Sequence, residues 1–95
     1  NGAVYVFTRN GNSWIQQQKL IASGGATGTF FGNTVSISGD SIVIGAYGDN
    51  NYIGAAYVFI RNGGSWIQQQ KLVASDGITG DYFGNSVDIS GDYIV

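Results

Sequence analysis

Catalysis or metal binding needs a nucleophile, an acid or base, or several ligands held by oriented partners. In these 95 residues the supply is narrow: six aspartates, and no glutamate, histidine or cysteine. The absence of cysteine excludes disulfides, thiolate metal sites and cysteine nucleophiles. The aspartates are scattered. Asp40 and Asp92 each close a Ser-Gly-Asp turn, Asp76 and Asp81 stand in a polar stretch, and none forms a carboxylate pair with acid/base spacing. Calcium takes six to eight oxygen ligands, commonly several of them carboxylates, so one aspartate per short turn does not make a calcium loop. The chain is expected to be non-catalytic, with no cofactor and no metal. The role expected of Asp40 and Asp92 is to accept hydrogen bonds from nearby turn amides.

Three other groups could touch a ligand. Asp49, Asn50 and Asn51 form the most polar loop and could hold a sugar or a cation. Trp14 and Trp66 could stack on a sugar ring, although packing between sheets is the stronger expectation and would leave both largely buried. Arg9, Arg61, Lys19 and Lys71 are expected to solvate strand ends or pair across strands. The run Gly24-Gly25-Ala26-Thr27-Gly28 is followed by no lysine and opens no helical pattern, so it is not a phosphate loop. A net charge of −2 with four dispersed basic residues offers nothing to a phosphate backbone, and nucleic acid is excluded as a partner. Membrane insertion is not expected, because no apolar run nears the roughly 20 residues a spanning helix needs. The first residues read as a strand, not a signal peptide.

The elements that must position these residues come from a repeat. Asn1–Val43 aligns with Ile53–Val95 without a gap, at a period of 52, with 31 of 43 positions identical. Residues 1–52 form a first full-length repeat unit and 53–95 a second, truncated one. Hydrophobic residues make up 43% of the chain and charged residues 11%, a composition that packs. Sixteen glycines among runs of Val, Ile, Tyr, Phe and Thr predict short strands and tight turns.

Within one unit, Ala3–Arg9 reads as a strand. Asn10-Gly11 is a hairpin signal repeated at Asn62-Gly63. The next strand, from Ser13, is predicted to alternate Trp14, Gln16, Gln18 and Leu20 on one face with Ile15, Gln17, Lys19 and Ile21 on the other. A Gly/Ser/Thr linker over Ser23–Thr29 leads to a third strand after Phe30-Phe31-Gly32, and Ser38-Gly39-Asp40 turns into a fourth, SIVIGA. Val4, Tyr5, Val6 and Phe7 are apolar on both faces, so these strands need cover above and below.

Phe31-Gly32, Gly45-Ala46-Tyr47 and the repeated Phe83-Gly84 resemble the two halves of the FG-GAP signature, with Tyr47 where that signature usually has proline. Gly54–Phe59 is similar to the strand that closes such blades, and SWIQQQKL to the outer strand of bacterial members. The resemblance spans essentially the whole chain. It implies an all-β fold of β-propeller blades, each of four antiparallel strands, in two tandem repeats with the second incomplete. The aspartate-rich calcium loop carried by many members is reduced here to Ser38-Gly39-Asp40 and Ser90-Gly91-Asp92, so that role is not carried over.

The resemblance further implies a secreted or cell-surface protein whose blades are structural and serve adhesion or self-assembly, with a sugar-binding module as the alternative. The expected partners are further copies of the same repeat, in a homo-oligomer, a filament or a longer parent chain, and glycans or proteins beyond those. Propellers close with about four to eight blades, and fewer than two are encoded here. The chain starts on the third strand of one blade and stops within the second strand of another. That reads as a cut from a longer array or as a permuted, self-assembling unit.

Overall fold

The computed structural model describes residues 2–23 and 28–95. The linker residues 24–27, which include most of the glycine-rich run discussed above, lie outside the described residues. Among the described residues, eight strands and one short helical turn follow in the order β1 (Val4–Asn10), β2 (Ser13–Leu20), β3 (Thr34–Ser38), β4 (Ser41–Ala46), α1 (Asp49–Tyr52), β5 (Ala55–Asn62), β6 (Ser65–Leu72), β7 (Ile89–Ser90) and β8 (Tyr93–Ile94). Every strand ladder is antiparallel.

The one four-stranded sheet, β3-β4-β5-β6, straddles the repeat boundary. On one side of it lies the β1-β2 hairpin, on the other the β7-β8 hairpin, each a two-stranded sheet. The arrangement is one whole blade between two half blades.

Alternation along β4 builds both interfaces. Ile42, Ile44 and Ala46 join Tyr57, Phe59 and Trp66 of the same sheet in a cluster completed by Leu20 and Phe31, with Val4 and Val6 of β1 packed against it. Val43 faces the other way, into a cluster with Ala56, Ile89, Leu72, Phe83, Val87 and Ile94. Residues of opposite parity thus serve opposite neighbours, so the two-sided apolar pattern of these strands is satisfied only in the central sheet.

The hairpin turns differ from the sequence expectation. Asn10 pairs with Ser13, and Asn62 with Ser65, so the central residues are Gly11-Asn12 and Gly63-Gly64, not Asn-Gly. Positive φ occurs only at the first of each pair, Gly11 at 64° and Gly63 at 66°. Glycine in that position marks a type II′ turn, whose twist matches that of the strands it joins.

The predicted alternation in β2 is also corrected. A bulge shifts the register between Val6 and Phe7, so that Gln16 lies opposite Phe7 and Gln18 opposite Val6, with Gln17 left over. One extra residue reverses the facing of everything beyond it. Leu20 and Gln18 therefore face the central blade, while Trp14 and Gln16 face away from it. The same bulge recurs between Val58 and Phe59.

Candidate functional site

The signature residues meet where one blade touches the next. Phe31 is buried, its ring edge-on to Tyr57 at 5.4 Å and to Phe59 at 6.3 Å. Gly32 follows with φ 93°, and its amide donates to the Gly45 carbonyl at 3.1 Å. In the next blade Gly84 repeats the conformation, with φ 88°, and lies against the backbone of Ala55 and Ala46. A Cβ on Gly45 would overlap the Gly84 carbonyl oxygen. Phe83, half-buried, forms a parallel bridge with Gly54. The Phe-Gly half of one blade thus seats on the Gly-Ala half of the blade before it, backbone against backbone. Glycine is needed there because any side chain would hold the blades apart.

Tyr47, in the place of the signature's proline, stacks on Phe30 at 4.9 Å with the rings parallel to within 1°. Tyr82 meets Tyr47 edge-on at 5.9 Å and Tyr52 at 5.4 Å. This aromatic cluster was missed from the sequence, although each repeat carries an aromatic residue just before Phe-Gly. Phe30 and Tyr82 both adopt positive φ, 58° and 55°, a costly conformation for a bulky side chain. Its recurrence at equivalent positions makes it a property of the repeat.

The polar loop is organised differently from a ligand cradle. Asp49 is buried, and its carboxylate accepts from Lys71 Nζ at 2.9 Å. That hydrogen bond raises the Lys71 pKa above its ordinary 10.5, with the nearby Tyr57 and the Asp49 charge adding to the effect against a smaller opposing cost of burial. Asn50 and Asn51 are exposed and left-handed, φ 50° and 56°, a conformation asparagine tolerates better than most residues. Asp49 therefore closes the blade onto β6 instead of pointing outward with its neighbours.

Other charges settle similarly. Asp40 accepts from the Arg61 guanidinium, not from turn amides as its sequence position suggested, because β5 runs beside the β3-β4 turn and delivers Arg61 to it. Arg61 also lies over the Trp66 ring at 5.6 Å, and its counterpart Arg9 over Trp14 at 5.7 Å. Asp81 accepts from the Ile78 amide at 3.0 Å. Asp88 accepts from Ser36 at 2.8 Å, across the gap between β3 and β7. No group of three or more metal-binding side chains occurs among the described residues.

The two tryptophans separate. Trp66 is 5% exposed, as expected, and is held across the blade gap by Gln18, whose side-chain amide donates to the Trp66 backbone carbonyl and accepts from the Trp66 backbone N–H, both at 2.8 Å. Trp14 is 63% exposed, contrary to the expected burial, because no described element lies over the outer face of the β1-β2 hairpin. The same contrast holds for Tyr5 against Tyr57, 47% and 1%, and for Phe7 against Phe59, 50% and 4%.

A four-stranded antiparallel sheet covered on both faces by sheets of its own kind, joined through close glycine contacts, is a propeller blade. The FG-GAP repeat model matches residues 14–59 and 66–95, and the chain belongs to that family. No curated protein and no solved structure matches it. No helix among the described residues is long and apolar enough to cross a membrane.

Proposed function

We propose that this chain is a non-catalytic structural module of a secreted or surface protein, acting in self-assembly or adhesion through its sheet faces. The observation that carries the reading is the contrast between repeat-equivalent side chains. Tyr5, Phe7 and Trp14 are exposed where Tyr57, Phe59 and Trp66 are buried. An apolar surface of this composition calls for a further sheet of the same kind, and the preferred partner is therefore another copy of the repeat. The surfaces that join are different ends of one unit, so the contact is head-to-tail and gives a ring or a filament according to whether the rotation closes. Nucleic acid and bilayer insertion have no place in this reading. Light scattering on the purified chain tests it: an oligomer whose mass grows with concentration is expected, and a cooperative monomer at micromolar concentration would overturn it.

The second reading, a carbohydrate-binding module, is favoured by one observation. Phe30, Tyr52 and Tyr82 expose aromatic surface around Tyr47, beside the exposed amides of Asn50 and Asn51. Aromatic faces next to amides suit a sugar ring. Specific signals on a glycan array, lost on replacing Tyr82 with alanine, would favour this reading over assembly.

A further inference from the structure

The triplet Gln16-Gln17-Gln18 recurs as Gln68-Gln69-Gln70, and neither apolar cluster contains any of the six. Residues two apart on a regular strand share a face, so the first and third glutamines would ordinarily point the same way. Here the bulge falls between them. In β6 it leaves Gln69 without a partner, with Gln68 opposite Phe59 and Gln70 opposite Val58. Phe59 belongs to the cluster that faces β1-β2, whereas Val58 is paired with Val43, which faces β7-β8. Gln68 therefore turns to the preceding sheet and Gln70 to the following one.

The junction between β2 and β6 lies wholly inside the chain and uses both directions. Gln18, third of its triplet, reaches forward: its side-chain amide donates to the Trp66 backbone carbonyl and accepts from the Trp66 backbone N–H. Gln68, first of its triplet, reaches back, its side-chain oxygen accepting from the Ser23 amide at 2.9 Å. The middle residues, Gln17 and Gln69, are exposed.

The two hydrogen bonds of Gln18 have a second consequence. The ladder sets Arg61 opposite Trp66, and the Arg61 amide is turned to its other neighbour, donating to the Asp40 carbonyl at 2.9 Å. In an antiparallel ladder a pair so oriented exchanges no bonds. The N–H and C=O of Trp66 thus point out of the sheet, on the side where β6 has no neighbouring strand among the described residues. An edge of that kind is a template for another strand. β6 is well suited to the part, since SWIQQQKL has no proline or glycine and a single charge. The Gln18 side chain offers Trp66 one acceptor and one donor, as the opposing residue of an added strand would.

We propose that the glutamine triplet is a two-way clasp between successive sheets, and that its third member also closes the outer edge of β6 against strand addition by a second copy of this chain. The first glutamine holds the sheet before, the third holds the sheet after and occupies its edge, and the bulged middle residue is the spacer that lets the two face opposite ways. The device is independent of what the module binds, because every group in it belongs to a junction that the chain contains complete.

Three matched variants test it. Gln18→Met keeps the length of the side chain and removes both bonds to Trp66. Gln68→Met removes an inter-sheet bond that does not lie on the β6 edge, and Gln17→Met removes neither. Amide hydrogen exchange, followed residue by residue by NMR, reads the clasp; thioflavin T fluorescence under agitation at equal concentration reads the edge. Exchange at Trp66 should be about two- to tenfold faster in Gln18→Met than in Gln68→Met, the range that one hydrogen bond supports, and exchange at Ser23 should show the reverse order. Gln18→Glu, which keeps an acceptor for the Trp66 N–H and loses the donor, should hold Trp66 exchange near the native rate. Of the three methionine variants, only Gln18→Met should shorten the lag before thioflavin-positive β aggregates, and Gln17→Met should match the native chain in both assays. Equal lags for Gln18→Met and Gln68→Met would overturn the edge closure and leave the clasp. Native exchange rates at both Trp66 and Ser23 in these two variants would overturn the clasp as well.

Discussion

Replacing Gly84 with alanine should cost far more than the same change at Gly63, although both residues have positive φ, 88° and 66°. Left-handed backbone costs an alanine about 1–2 kcal/mol at either site. At Gly63 nothing lies within 4 Å of the added Cβ, so this is the whole effect. At Gly84 the methyl group would overlap the Ala55 carbonyl oxygen and come within 3.1 Å of its carbon and 3.2 Å of the Ala46 nitrogen. All three are backbone atoms of the central sheet and have no rotamer with which to move aside. The half blade must shift away, opening the interface formed by Val43, Ala56 and Ile89. Overpacking of this kind adds about 1–3 kcal/mol, giving a total of about 2–5 kcal/mol for Gly84→Ala. Against the 5–15 kcal/mol typical of a small domain, that is a large share. Urea unfolding followed by far-UV circular dichroism and tryptophan fluorescence measures both variants, with the midpoint shift reporting stability. Equal losses at the two sites would refute the argument that the Phe-Gly glycine is required by close approach between blades.

Phe59→Ala should destabilise the chain by about 3–4 kcal/mol, measured where scattering reports a monomer. Phe7→Ala should cost about 2 kcal/mol less, since roughly 90 Å² less apolar area is buried there, at about 25 cal/mol per Å²; equal costs would mean that Phe7 is covered in solution. In the monomer, iodide should quench Trp14 and spare Trp66, as the fluorescence of Trp14→Phe and Trp66→Phe will separate, and assembly should protect Trp14. The Asp49–Lys71 pair holds the Lys71 pKa above 10.5. A raised folded-state pKa contributes stability that is present in full below the unfolded value and is lost as pH rises through the folded one. The stability gap between the native chain and Lys71→Met should therefore be constant from pH 7 to 9 and shrink above about pH 10.5; a gap that grew with pH would contradict the assignment.

The candidate site was legible in part. Phe31, Gly32, Gly45 and Phe83-Gly84 stood out because their spacing recurs, and a recurring Phe-Gly beside a Gly-Ala strand end reflects a packing constraint written into residue size. The aromatic cluster around Tyr47 was not legible. Its members come from three separate loops, and the left-handed backbone that turns Phe30 and Tyr82 into it carries no local signal in residues of that type. Asp49 was singled out for its polarity, yet its carboxylate is committed to Lys71, 22 positions away in the chain; only folding β6 beside the loop decides that.

The sequence by itself determined what depends on neighbouring residues along the chain: the 52-residue period, the strands, the glycine-bearing hairpin turns and the apolar character of both strand faces. The tertiary structure decided everything that depends on what lies across a gap. It placed the bulges after Val6 and Val58, which aim Gln18 at the Trp66 backbone. It paired Asp40 with Arg61. It also divided identical residues into buried and exposed. Trp14 and Trp66 share a local sequence and a hairpin geometry, and they differ because burial is a property of the surface opposite: one faces the β1-β2 hairpin, and no described element covers the other.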